Sequence, residues 1–126
     1  MNAYDLQKAQ EHFAARVAFT TGTHELDGIV QQNKGDFVVV DVRLPKDFAQ
    51  GHVPGAINLP KGKWQTLRGL RKDATHYVYC YDQTCHLAAE AGLELTRAGY
   101  KVVEVEGGWA KWQAAGSRVE AAAQAA

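Results

Sequence analysis

The chain has 126 residues, of which 46% are hydrophobic and 22% charged, values that are ordinary for one globular domain with a buried core. Fourteen basic residues balance fourteen acidic ones, so no excess of charge attracts nucleic acid or an anionic membrane. No apolar run approaches the ~18 residues that a membrane-spanning helix needs. We therefore expect neither nucleic acid nor a membrane among the partners of this chain.

The amino terminus and the cysteine content predict the compartment. Residues 1–5 lack the basic segment followed by an apolar segment that marks a secretory signal peptide. The chain has two cysteines, Cys80 and Cys85. We therefore expect a cytoplasmic protein, in which a permanent structural disulfide is not the default.

The first half of the chain alternates between helical and extended patterns. Apolar residues three or four positions apart predict an amphipathic helix over about residues 4–17. Thr23 is a suitable N-cap for a second helix, which ends near residues 33–35. The continuous apolar run at residues 37–40 is typical of a strand that is covered on both faces. A short helical turn is predicted within residues 45–51.

The second half continues the same alternation. In order, we predict a short strand within residues 54–60, a loop with a short helix at 62–72, a strand at 76–79, a helix at about 86–98, a strand at 101–105, a tight turn at Gly107-Gly108 and a helix at 109–115. On the last helix, we expect Trp109 to lie in the core. Strands that alternate with helices predict an α/β domain with a parallel sheet covered by helices.

Cys80 stands at the carboxyl end of a predicted strand. It follows the β-forming residues 76–79 and precedes a polar loop that leads into a helix. Ligands of open parallel sheets bind beyond the carboxyl ends of strands, where Asp41 also lies. The N–H groups and the dipole of a helix N-terminus favour the thiolate, the reactive form of cysteine. This placement predicts thiolate chemistry, and the alternative is a small buried apolar residue.

Several motifs occur in the order and approximate spacing of a rhodanese domain. They are Asp41-Val42-Arg43, Asp47-Phe48, Gly51-His52-Val53-Pro54-Gly55-Ala56-Ile57-Asn58-Leu59-Pro60, Tyr79-Cys80, Gly99-Tyr100 and Glu106-Gly107-Gly108-Trp109. On these motifs, residues 20–116 resemble the rhodanese-like family. A helical extension at 1–19 precedes them, and a tail at 117–126, which we expect to be disordered, follows.

The resemblance implies both a fold and an activity. The fold would be a three-layer domain, with a central, mostly parallel sheet and helices on both faces. The activity would be that of a single-domain sulfurtransferase, similar to thiosulfate:cyanide sulfurtransferases, with a persulfide on Cys80. The sulfur would come from a small donor and pass to a thiol acceptor, either a small thiol or a protein cysteine. The thiolate needs no cofactor, and no second Cys/His pair suggests a metal.

The loop after Cys80 departs from the family pattern. The family's loop commonly runs through four residues, one of them glycine, to an arginine. The corresponding positions here hold Tyr81, Asp82, Gln83, Thr84 and Cys85. Arginine binds a sulfonate or phosphate oxyanion with a fork of donors, so its absence disfavours thiosulfate turnover and also phosphatase or arsenate chemistry. The charge of Asp82 would repel a dianion further.

Cys85 has three open interpretations. It can be a resolving thiol that attacks a persulfide or sulfenic acid on Cys80 and closes a disulfide, which requires Cα atoms within ~4.4–6.8 Å of each other. It can be the nucleophile itself, because it lies nearer the helix N-terminus. It can also be an idle thiol packed against the sheet. The first interpretation allows a second function, a thiol redox or sulfur-sensing module whose state a partner reads.

Four other residues are candidates for supporting roles. His86 either donates to a bound anion or is simply solvated. Asp41 is expected to accept hydrogen bonds from loop N–H groups. Arg43 either replaces the missing loop arginine or pairs locally with an acid, and we favour local pairing. His52 is expected to fix a turn by hydrogen bonding.

Two surfaces outside the loop are further candidates for binding. The basic strip combines Trp64 with Lys61, Lys63, Arg68, Arg71 and Lys72. It could recruit an anionic donor or an acidic partner, although a solvated loop is the simpler interpretation. The first helix either caps the core or presents its Phe13 face to a partner or a second copy.

Overall fold

The computed structural model describes residues 3–121, which form five α-helices, one 3-10 turn and five strands. The helices are α1 (Leu6–Phe19), α2 (Thr23–Gln32), α3 (Pro45–Gln50), α4 (Leu87–Arg97) and α5 (Gly108–Ala114), and the 3-10 turn is Trp64–Thr66. The strands are β1 (Thr20–Thr21), β2 (Phe37–Asp41), β3 (Ile57–Asn58), β4 (Thr75–Tyr79) and β5 (Lys101–Val105). No helix in this part of the chain is long and apolar enough to cross a membrane.

All five strands run parallel in one sheet, in the order β1-β5-β4-β2-β3. β2 and β4 are neighbours, and Asp41 pairs with Tyr79 at their carboxyl ends. β1 was not predicted, because two threonines are too short a segment to show a strand pattern. β1 forms at the sheet edge by pairing with Glu104 and Val105 of β5.

Two apolar clusters fill the space between the sheet and its helices. On one face, Val78 and Cys80 pack with Leu95 of α4. On the other face, Leu26 of α2 and Trp112 of α5 pack against the sheet. The predicted α/β class, with a parallel sheet and helices on both faces, is therefore confirmed.

Two local details differ from the expectations. The expectation that Trp109 lies in the core was wrong: Trp112 is 1% exposed, whereas Trp109 is half-buried. The indole of Trp112 can be buried because its N–H donates to the carbonyl of Arg118 at 2.8 Å. The N-cap of α2 is Gly22 rather than Thr23, since the backbone of Thr23 is already helical and its side chain is buried.

The segments that flank residues 20–116 both contact the domain. α1 has no buried residue, and near its end the Arg16 guanidinium bonds the Glu106 carboxylate at 3.2 Å. In the expected tail, Glu120 pairs with His52 in an antiparallel bridge. The disorder expected from residue 117 onward therefore does not apply to residues 117–121, and residues 122–126 of that tail lie outside the described residues.

Candidate active site

Cys80 lies where β4 ends and the loop to α4 begins. The residue is 2% exposed, and its carbonyl oxygen accepts a hydrogen bond from the N–H of Trp109 at 2.9 Å. A Cβ at Gly108 would lie 2.6 Å from the same oxygen, and the φ of 57° at this position favours glycine. The turn before α5 thus holds the main chain of Cys80 in place.

A disulfide joins Cys80 to Cys85 across the loop. Their Cα atoms are 6.3 Å apart, inside the range that such a bond requires. Cys85 is half-buried and packs against the α4 side of the core. The pair is therefore not in the dithiol state expected from the cysteine content. A reducing thiol has to open the bond before either sulfur can act as a thiolate.

The loop keeps its turn through side-chain bonds of its own. The Asp82 carboxylate accepts from the N–H of Thr84 at 3.0 Å and from the hydroxyl of Thr84 at 2.9 Å. The carbonyl of Asp82 accepts from the N–H of Cys85 at 3.2 Å. These bonds make an Asx turn, in which an aspartate side chain stands in for a main-chain acceptor. The charge at Asp82 therefore also has a structural role.

Two other side chains tie the loop to neighbouring elements. The Gln83 amide oxygen accepts from the N–H of Gly107, beside α5, at 2.6 Å. The Tyr81 hydroxyl donates to Asp47 of α3 at 2.5 Å and accepts from the N–H of Leu44 at 3.1 Å. Burial, and then the bond to Asp47, raise the pKa of Tyr81, so the phenol stays neutral near pH 7. The loop is thus attached to α3 and α5 independently of the disulfide.

Asp41, Arg43 and Tyr79 form a buried polar cluster where β2 and β4 end. Arg43 Nη2 lies 2.8 Å from Asp41 Oδ2, and Arg43 Nε lies 3.1 Å from each carboxylate oxygen. The Tyr79 hydroxyl donates to Asp41 at 2.5 Å, and the N–H of Arg43 donates to Asp41 at 2.9 Å. Burial, followed by the Asp41 charge, raises the pKa of Tyr79, so this hydroxyl remains a donor.

The guanidinium of Arg43 is bonded through Nε and Nη2 to groups outside the cysteine loop. Besides the carboxylate, it donates to the carbonyl of Gly51 at 2.6 Å. Its central carbon lies 4.5 Å from the ring centre of Trp109, a cation–π distance. Arg43 is therefore paired locally with Asp41, and its recorded side-chain hydrogen bonds do not reach the cysteine loop.

The two candidate histidines have different surroundings. His52 is buried, bonds through Nδ1 to the carbonyl of Phe48 at 2.7 Å and stacks on the Phe48 ring. His86 is exposed at the start of α4 and makes no capping bond with its side chain. Burial and the charge of Glu106 raise the pKa of Glu104, and His86 opposes that rise. His52 thus fixes a turn, whereas His86 faces solvent beside the loop.

Four of the six side chains of the basic strip are engaged separately. Lys61 pairs with a carboxylate of α4 at 3.1 Å. Arg71 and Lys72 each donate to a main-chain carbonyl at 2.6 Å. Trp64 is buried, and its indole N–H also donates to a main-chain carbonyl. These bonds favour a structural role for these four residues, whereas Lys63 and Arg68 are exposed.

The architecture around Cys80 has counterparts among known proteins. A family model described as the rhodanese-like domain matches residues 24–115. The chain belongs to the rhodanese-like family. Among solved structures, the crystal structure of the BH2092 protein from Bacillus halodurans has a TM-score of 0.83 at 26% identity, and the match covers 93% of this chain and 87% of that one.

Curated relatives differ in what they are named for. The HTH-type transcriptional regulator Rv0324 of Mycobacterium tuberculosis is 32% identical over 91 residues, which cover 71% of this chain and 40% of the regulator. The thiosulfate sulfurtransferase GlpE of Pseudomonas putida is 35% identical over 84 residues, which cover 66% of this chain and 76% of that enzyme. The chain spans 40% to 59% of the length of the first curated relatives that it matches.

The contacts by which this rhodanese-like domain supports its loop were not predicted from the sequence. The motif ending in Gly108 and Trp109 follows β5, whose carboxyl end lies at the same sheet edge as Cys80. That order of elements was a usable signal for placing the motif beside the loop. The bond from Gly107 to Gln83 had no such signal, because it depends on one exposed side-chain conformation.

Proposed function

We propose that this rhodanese-like domain is a sulfurtransferase that carries sulfane sulfur as a persulfide on Cys80. The observation that carries the proposal is the position of Cys80, buried at the carboxyl end of β4 and followed by a loop that ends at the N-terminus of α4. The relative in Pseudomonas putida that is named as a thiosulfate sulfurtransferase supports the same chemistry. A reducing cytoplasm would keep the thiol available.

Sulfur transfer takes two displacement steps once the disulfide is reduced. The Cys80 thiolate attacks the sulfane sulfur of a donor R–S–S⁻, forms Cys80–S–S⁻ and releases R–S⁻. An acceptor thiolate R′–S⁻ then takes the outer sulfur as R′–S–S⁻ and returns Cys80 to the thiolate. No cofactor takes part. The first N–H groups of α4, which have no acceptor within the helix, are the donors that would hold the terminal sulfur.

The charges around the loop select the class of donor. Thiosulfate is a dianion, and the loop has Cys85 where the family has an arginine and adds the negative charge of Asp82. Arg43 is held by Asp41 within the buried polar cluster. A polysulfide or a thiol persulfide has no sulfonate group to bind, so it does not need the missing arginine. We therefore propose these compounds as the efficient donors, with a small thiol or a protein cysteine as acceptor.

The disulfide favours a second candidate function, a thiol redox or sulfur-sensing module. Here the Cys80–Cys85 pair would cycle between dithiol and disulfide, and a partner protein would bind one state. The match to a protein named as a transcriptional regulator in Mycobacterium tuberculosis is compatible with such a module.

Intact mass after exposure to a donor distinguishes the two functions. Reduced protein is incubated with thiosulfate, and separately with a polysulfide, alongside Cys80→Ser and Cys85→Ser. We expect the polysulfide to add about 32 Da to Cys85→Ser and nothing to Cys80→Ser. If no donor adds sulfur, and the only product is a loss of two hydrogens that needs both cysteines, the redox module replaces the sulfurtransferase.

A further inference from the structure

The bonded cysteines show where sulfur on Cys80 can go next. Bonds from Tyr81, Asp82 and Gln83 hold the loop without help from the disulfide, so a reduced Cys85 stays within reach of Cys80. Cys85 also lies two residues before the first residue of α4. A helix N-terminus favours the thiolate form of a nearby cysteine.

We propose that Cys85 is the built-in resolving thiol for the Cys80 persulfide, so that the domain releases sulfane sulfur as hydrosulfide. This inference rests on the proposed function, because it requires a persulfide on Cys80. In the protonated persulfide Cys80–S–SH, the Cys85 thiolate attacks Sγ of Cys80. The bond from that atom to the outer sulfur breaks, and the outer sulfur leaves as HS⁻ with the electron pair. The protein product is the Cys80–Cys85 disulfide seen in the structure.

The step is a reduction of sulfur at the expense of the two cysteines. The sulfane sulfur gains two electrons, and the cysteine pair loses two as it forms the disulfide. Two molecules of an external thiol R–SH must then restore the dithiol and leave as R–S–S–R. The net reaction converts a persulfide R′–SSH and two R–SH into R′–SH, H₂S and R–S–S–R. The domain would therefore act as a thiol-dependent persulfide reductase.

The burial of the two sulfurs sets the order of the reductive steps. Cys80 is 2% exposed, whereas Cys85 is half-buried. An external thiolate therefore reaches Cys85 first, forms a mixed disulfide there and expels Cys80 as the thiolate. A second thiol then frees Cys85. This order returns Cys80 to its nucleophilic form before the loop is fully reduced.

Burial also favours Cys85 over an external acceptor. An outside thiol has to approach a persulfide on a buried residue, whereas Cys85 is already positioned across the loop from it. An intramolecular partner acts at an effective concentration in the millimolar range or above. We therefore expect internal release of hydrosulfide to outrun transfer to dilute external thiols.

A single-turnover assay with a thiol persulfide tests this inference. Protein is reduced, freed of reductant and mixed with less than one equivalent of glutathione persulfide, and then free sulfide and intact mass are followed. In the wild type we expect one hydrosulfide for each donor consumed and a protein mass about 2 Da below the dithiol form. We expect Cys85→Ser to keep about 32 Da of extra mass and to release sulfide about tenfold or more slowly. Cys80→Ser defines the background.

The outcomes separate this inference from the function on which it rests. A wild-type product that keeps the extra sulfur and forms no disulfide overturns the role of Cys85 and leaves the carrier function standing. So does a Cys85→Ser variant that releases sulfide at the wild-type rate. If Cys85→Ser takes up no sulfur at all, the carrier function itself fails. The wild-type measurement needs no variant, and Cys85→Ala repeats the comparison if the serine variant folds poorly.

Discussion

The cysteine loop, residues 80–86, follows β4, and the buried polar cluster of Asp41, Arg43 and Tyr79 lies where β2 and β4 end, yet the two regions differ in whether their groups can exchange partners. In the cluster, the carboxylate accepts from the guanidinium and from the tyrosine hydroxyl, and the guanidinium donates onward to a main-chain carbonyl. In the loop, the sulfur–sulfur bond can exchange partners, and the first N–H groups of α4 lack helical acceptors.

The contrast shows that a place at the carboxyl edge of the sheet does not by itself make a residue reactive. A buried group whose hydrogen bonds are complete stabilises the fold, whereas a group with exchangeable or unused bonding capacity is available for chemistry. Arg43 illustrates the point, because its type and place suit an anion site, yet its Nε and Nη2 are bonded to Asp41 and Gly51 rather than to the loop. We therefore expect substitutions in the cluster to change stability and substitutions around the loop to change sulfur chemistry.

The largest effect is expected from Asp41→Ala, which breaks the buried polar cluster. The substitution leaves the Arg43 guanidinium buried without its carboxylate, and the Tyr79 hydroxyl loses its acceptor. Removing one partner of a buried ion pair costs about 3–5 kcal/mol of unfolding free energy. Urea unfolding followed by tryptophan fluorescence measures the loss.

An exposed ion pair provides the control for that prediction. Arg16→Ala removes the partner of Glu106 on the surface, where both side chains are partly exposed. Such a pair contributes about 1 kcal/mol or less. Equal losses in Asp41→Ala and Arg16→Ala would contradict the special role that we assign to the cluster.

A smaller effect is expected from Gly108→Ala, which disturbs the support of the cysteine loop. The new Cβ would meet the Cys80 carbonyl oxygen at 2.6 Å, in a backbone conformation that favours glycine. We expect a loss of about 1–3 kcal/mol in stability, together with slower sulfur loading, because Cys80 has to shift. Unfolding in urea and the rate of mass gain from a polysulfide measure the two effects.

Gly28→Ala is the matched control, because a Cβ there meets nothing within 4 Å and the residue lies inside α2. Alanine is the better helix former by about 1 kcal/mol, so this variant should be as stable as the wild type or more so. If Gly108→Ala loads sulfur as fast as Gly28→Ala, the support from α5 is not needed for the reaction.

Most of the fold could be predicted from the sequence, because the spacing of apolar residues and the positions of turn residues indicate directly which segments are buried. The apolar run at residues 37–40 and the β-forming run at 76–79 became the neighbouring strands β2 and β4. β1 could not be predicted, since two residues are too few to show the alternation of a strand, and β1 exists only through its pairing with β5. The sequence could not show which of Trp109 and Trp112 is the more buried, because residues three apart both lie near one helix face.

The candidate site was predictable in position and less so in its bonds. The strand end at Cys80 and the helix after it are local features, so their order along the chain was enough to place the cysteine. Predicting the disulfide requires the distance between the Cα atoms of Cys80 and Cys85, and only the folded loop supplies that distance. Predicting the bonds of Arg43 to Asp41 and Gly51 requires knowing that this side chain is buried, and a single sequence gives no measure of its burial.

The smallest effect is expected from Gln83→Ala. This variant tests whether the bonds of the loop serve the attack of Cys85 on the Cys80 persulfide rather than the stability of the fold. The Gln83 side chain is exposed, and it accepts one bond, from the N–H of Gly107. Losing such a bond costs about 0.5–1.5 kcal/mol, and uptake of sulfur by Cys80 should continue. Release of hydrosulfide should slow severalfold, because a freer loop brings Cys85 to Cys80 less often. Gln65→Ala, which removes one exposed side-chain bond to the carbonyl of Gly62 in another loop, should leave both rates unchanged. Equal slowing of uptake and release in Gln83→Ala would mean that this bond positions Cys80 itself, and the loop would then serve the first step of the reaction rather than the second.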